Sequence, residues 1–147
     1  MRIVLPLMLL GTLTTAGSEG IFGTWRVNRT RLTAPVSDLV KVRFEPHAKG
    51  EVFTAERVHA DGRATTSSTI LYFETQPRDF QDSDCSGTQS SRRLDDTTAE
   101  ILRTCTDGRT MRIVRRFGEK PRELVLEITE QRPPGWRAER RLLLEKE

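Results

Sequence analysis

Three arginines fall among apolar side chains at the two-residue spacing of a β-strand. In "TAEILRTC" Arg103 shares a face with Ala99, Ile101 and Cys105; in "TMRIVRRF" Arg115 shares one with Met111, Ile113 and Phe117; near the C-terminus Arg140 shares one with Ala138 and Leu142. A guanidinium set into an apolar wall is costly unless it meets a partner, a water-filled lumen or an anion. The pattern predicts an apolar lumen with cationic hooks at Arg103, Arg115 and Arg140, suited to a small amphipathic acid. The competing reading is a face assignment displaced by one residue at a bulge, which would turn any of these side chains outward.

Other chemistry is sparse. The chain has two histidines: His47 in the turn Glu45-Pro46-His47-Ala48, and His59 just before Asp61-Gly62. Both are expected to be solvated. No nucleophile elbow, zinc-protease motif, phosphate loop or nucleotide fingerprint is present, and no catalytic triad order can be assembled. Asp79, Asp82, Asp84 and the pair Asp95-Asp96 lack the glycine and terminal glutamate of a calcium loop and are expected to be solvated turn acids. The chain is therefore read as no enzyme, with no catalytic residues, no metal and no cofactor.

The two cysteines, Cys85 and Cys105, flank a candidate hairpin that turns at Asp95-Asp96. Antiparallel pairing about that turn puts them almost opposite each other near its open end, within disulfide reach. Closing a loop of this size contributes roughly 3 kcal/mol in the chain-entropy model. A disulfide is expected here in preference to a metal or redox pair, because no C-x-x-C occurs.

The elements that must position these residues begin behind a leader. Met1-Arg2 precedes the apolar run Ile3 to Leu13 and the small residues Thr14-Thr15-Ala16-Gly17, the layout of a secretory signal peptide. The apolar run is about 11 residues, short of the roughly 20 that a membrane-spanning helix needs. A cut after Ala16 leaves residues 17–147 as a single domain, with a secreted or periplasmic location and no membrane span. The formal net charge is +3. Arginine and glutamate interleave, as in Arg137-Ala138-Glu139-Arg140-Arg141, without forming a basic block, so no nucleic-acid partner is expected.

Behind the leader, short runs rich in Val, Ile, Thr, Phe and Leu alternate with turn residues such as Asp61-Gly62, Asp107-Gly108 and Pro133-Pro134-Gly135. Strands are predicted at 21–28, 38–45, 50–60, 64–74, 79–84, 87–94, 97–105, 109–117, 122–131 and 135–145, with at most a short turn in 29–37. Alternation groups Val40, Val42 and Phe44 on one face, Leu124, Leu126 and Ile128 on a second, and Trp136, Ala138, Leu142 and Leu144 on a third. A meander with no helices to cover it must close on itself. An all-β, antiparallel up-and-down barrel of about eight to ten strands is the expected architecture.

Gly23-Thr24-Trp25 stands on the first predicted strand. With "FGTWRVNRTR" and, later, "DDTTAEILRTCTDGRTMRIVRRF", the chain resembles the lipocalin and fatty-acid-binding superfamily, and within it the small secreted lipocalin-like proteins of bacteria. The resemblance implies that Gly23 lets the first strand bend, that Trp25 plugs the closed end, and that an arginine near the last strand, assigned to Arg140, stacks on it. It also implies inward arginines that hold a carboxylate. The expected function is binding of a small hydrophobic or amphipathic, anionic molecule in a hollow interior. The alternative is a filled barrel of the cell envelope that inhibits or docks onto a protein partner through an exposed apolar patch, at 29–37 or at Pro133-Pro134-Gly135.

Overall fold

In the computed structural model, residues 20–29 and 38–147 are described. The leader, the cut after Ala16 and most of the 29–37 segment lie outside the described residues. Ten antiparallel strands follow in chain order: β1 (Gly23–Val27), β2 (Leu39–His47), β3 (Gly50–Val58), β4 (Ala64–Leu71), β5 (Arg78–Gln81), β6 (Ser86–Arg93), β7 (Ala99–Cys105), β8 (Thr110–Phe117), β9 (Glu123–Arg132) and β10 (Trp136–Lys146). They form one sheet in the order β4-β3-β2-β1-β10-β9-β8-β7-β6-β5, an up-and-down, nearly closed barrel. Every sequence neighbour pairs except β4 with β5, and β1 closes the ladder onto β10.

Each predicted strand corresponds to an observed one, and the inward faces follow the two-residue period. One inward row runs Ser91, Ile101, Ile113, Ile128 and Arg140; the next runs Arg93, Ala99, Arg115, Leu126 and Leu142. One grouping is corrected. A bulge between Leu39 and Lys41 shifts the register of β2, so Leu39 is buried in place of Val40, while Val42 and Phe44 stay inward. Trp136 belongs to the row of Ala138 by parity but lies beyond the packed wall, 47 % exposed.

Inward aliphatic and aromatic side chains form a single cluster that includes Ile21, Trp25, Phe44, Phe53, Ile101, Leu126 and Leu144. Trp25 is 1 % exposed. Its indole Nε1 donates to the Ile21 carbonyl at 2.8 Å, and its ring tilts against Phe117 at 6.4 Å. Trp25 thus lies buried at the end of the barrel that carries the β2–β3 and β8–β9 turns. Gly23 adopts φ +126°, a conformation that L side chains rarely take, and an added Cβ would meet Lys146 Cε at 3.0 Å. At the opposite end Cys85 and Cys105 form a disulfide, with Cα atoms 5.3 Å apart, and make a small satellite cluster with Phe80. Cys105 pairs with Gly87 in the ladder, so Cys85 reaches it from just outside β6.

Candidate ligand site at the inward arginines

All three arginines singled out from the sequence sit on inward rows, but their surroundings differ. Arg115, 3 % exposed, extends from β8 toward β3, where the Glu51 carboxylate accepts from its Nη1 at 2.5 Å and from Nη2 at 3.4 Å. Its guanidinium lies 4.5 Å from the centre of the Phe44 ring. Glu51, 1 % exposed, also accepts from Arg93 Nη2 at 3.3 Å. Two arginines thus enclose one buried carboxylate. Glu51 was missed in the sequence reading, although "EVFTA" places it on the same face as Phe53 and Ala55, the signal that singled out the arginines.

Arg103, 6 % exposed, is compensated far less. Its Nε donates to the neutral Gln89 amide at 2.9 Å, and the Asp82 carboxylate approaches its Nη1 only to 3.9 Å. Phe80 lies 4.2 Å and Phe53 5.9 Å from the guanidinium carbon, ring centres to Cζ. Burial draws its pKa down to about 10; Asp82 and Asp84 oppose that shift, and the charge of Arg57 adds to it. Arg57, on the same inward parity of β3, donates to Asp38 at 2.8 Å. This end of the barrel therefore brings two cations into each other's field, with the buried Asp82 and the more exposed Asp38 and Asp84 carboxylates near them.

Arg140 is half-buried opposite Ile128 and has no side-chain hydrogen bond or ion pair among the described residues. It does not stack on Trp25. The register sets Trp25 against Lys146, whose Nζ lies 5.5 Å from the indole centre and also donates to the Gly20 carbonyl. Arg140 is six residues farther down β10, about 20 Å at strand rise, so a lysine takes the place assigned to it.

Arg103 is linked through Gln89 to the seam between the unpaired edges of the sheet. Gln89 Nε2 donates to Thr69 Oγ1 of β4 at 3.1 Å, and nearby the Phe73 N–H donates to Ser91 Oγ at 2.9 Å. Side chains thus span the gap that backbone pairing leaves open. A polar cleft of about 280 Å³ opens there, lined by Thr69, Tyr72, Arg78, Gln89 and Ser91 among others.

The histidines and turn acids make no such centre. His47 Nδ1 accepts from the Lys49 N–H at 3.0 Å, and His59 is half-buried, with Nε2 2.9 Å from Thr65 Oγ1 and Nδ1 3.7 Å from Asp38, instead of solvated as expected. Asp82 Oδ1 accepts from the N–H groups of Asp84 and Cys85, and Asp95 Oδ1 from those of Thr97 and Thr98. The backbone bond from Thr97 leads the causes that hold the exposed Asp95 carboxyl below its ordinary pKa. Each serves its turn, but Asp82 is buried against Arg103, its side chain 5 % exposed instead of solvated, and Asp84 also pairs with Arg109 at 3.1 Å; no group of three metal-ligating side chains occurs among the described residues. Nor is any described helix long and apolar enough to cross a membrane.

No protein-family model matches the chain, and no curated protein is significantly similar to it. The ten-stranded barrel is compatible with a lipocalin-like one, and on that architecture the likeness rests.

Proposed function

We propose that this protein is an exported, non-catalytic carrier that binds a small amphipathic acid, with the acid group held at Arg103. A barrel is consistent with binding, and the disulfide is compatible with a secreted or periplasmic location. The observation that carries the reading is the unequal state of the buried cations. Glu51 neutralises Arg115 at 2.5 Å, whereas the nearest carboxylate to Arg103 stands off at 3.9 Å. A ligand carboxylate would supply the charge-assisted pairing that Gln89 cannot, and its alkyl portion would lie against Phe53 and Phe80.

The test uses sodium laurate and isothermal titration calorimetry on the mature protein, with Arg103→Met and Arg115→Met beside the wild type. Loss of at least about tenfold in affinity is expected for Arg103→Met, the scale of one charge-assisted bond. Arg115→Met should lower stability and leave laurate binding within about twofold. Equal affinity of Arg103→Met and wild type would overturn the assignment. Native mass spectrometry of protein purified gently from its host, before and after organic extraction, would then identify any resident molecule by its mass.

A further inference from the structure

Trp136 opens β10 and is the most exposed large apolar side chain among the described residues. It is nevertheless held in place. Its backbone pairs with Arg132 across the β9–β10 turn, and the Arg132 guanidinium stacks 4.9 Å from the ring centre. The buried Glu130 carboxylate in turn accepts from Arg132 Nε and Nη2 at 3.3 and 3.1 Å. A side chain ordered in advance loses little entropy when a ligand lands on it.

Beside the ring lies a cleft of about 450 Å³ walled by Pro133 and Pro134 and reaching Thr110, Gln131 and Arg137. The β7–β8 turn completes it. Gly108 there has φ +91°, and a Cβ on it would meet Pro133 Cγ at 3.2 Å, so the two turns meet at a contact that leaves little room for a larger residue.

The charges around the cleft are already answered: Arg132 by Glu130, and Arg137 by Glu139 at 2.5 Å. What this surface offers a ligand is an indole face, two proline rings, the Thr110 hydroxyl and the Gln131 amide. Rigid aromatic area beside neutral hydrogen-bonding groups complements a ring with apolar C–H faces and a hydroxylated edge. We propose that this cleft is a second binding site, independent of Arg103, for a neutral saccharide, with one pyranose face stacked on Trp136 and its hydroxyls bonded by Gln131 and Thr110.

Chitotetraose and maltohexaose are the probes, titrated against tryptophan fluorescence. Of the two tryptophans only Trp136 is exposed, so a shift in emission reports on this cleft. At least one probe should saturate the signal, with an affinity that changes little between about 50 and about 500 mM salt, as a neutral ligand requires. Trp136→Ala should weaken binding at least about tenfold, and Trp136→Phe should keep part of it. Both variants should keep the urea midpoint of the wild type. The proposal is overturned if neither oligosaccharide binds, if Trp136→Ala binds as tightly as wild type, if affinity falls steeply with salt, or if a proline-rich peptide saturates the signal where both sugars fail.

Discussion

Arg115 and Arg103 project from adjacent strands of one wall and are buried to 3 % and 6 % exposure, yet they meet opposite fates. Arg115 finds a carboxylate from β3, 64 residues away in sequence, and gains a second arginine as company for it. Arg103 finds a ladder neighbour, Gln89, which has no charge to give. The contrast shows that burial alone does not make a cation a binding group. What matters is whether the strand across the interior brings an acid into bonding distance, and at Arg103 the nearest one, the buried Asp82 carboxylate, stops 3.9 Å away.

The comparison breaks most sharply at Glu51. Glu51→Leu leaves Arg115 buried without a counter-charge, and a loss of roughly 3–5 kcal/mol is expected from urea unfolding. The double variant Glu51→Leu with Arg115→Met should recover most of that loss, since an apolar pair of similar volume often replaces a buried ion pair at little cost. A double variant as unstable as the single one would show that the pair is not the unit described. Arg103→Met, by the same logic, should cost far less stability than Glu51→Leu while weakening laurate binding at least about tenfold.

Alkaline pH sharpens the contrast further. Because burial lowers the pKa of Arg103 to about 10, the native state binds fewer protons than the unfolded chain from about 10 up to the ordinary guanidinium value. Below that window both states hold the proton and the desolvation cost is carried in full; across it, this group's contribution to stability rises with pH. Laurate affinity moves the other way, since the cation is being lost. Calorimetry should find affinity level from about pH 8 to about pH 9 and declining above about pH 10. An affinity that stays level while the fold persists would show that the guanidinium keeps its proton through this range. The smallest effect belongs to Arg140: half-exposed and without a side-chain partner among the described residues, its replacement by leucine should change the unfolding free energy by no more than about 0.5 kcal/mol.

Local periodicity was enough to read the ten strands and the inward orientation of Arg103, Arg115 and Arg140, because alternation records which side of a strand is buried. It could not reveal the bulge at Leu39–Lys41, where Val40 and Leu39 are equally apolar and only pairing with β3 decides between them. The cation over Trp25 was misplaced for a related reason. Lys146 and Arg140 share a parity on β10, and the choice depends on how β1 slides along β10, a contact between the two ends of the chain. The Glu51–Arg115 pair spans the interior between strands that are not neighbours in the sheet, so neither strand pattern alone contains it.

The splayed β4–β5 hairpin carries a topological consequence. Since β1 pairs with β10 while β4 and β5 stay apart, the hydrogen-bonded order of the sheet is that of a chain beginning at β5, running through β10 into β1 and finishing at β4. The described ends already touch, with the Glu147 N–H donating to the Thr24 carbonyl and the Lys146 side-chain Nζ donating to that of Gly20. A circular permutant opened between Tyr72 and Pro77 and joined across those ends would keep every rung of the ladder, so the barrel has two equivalent linear readings of which the natural chain is one.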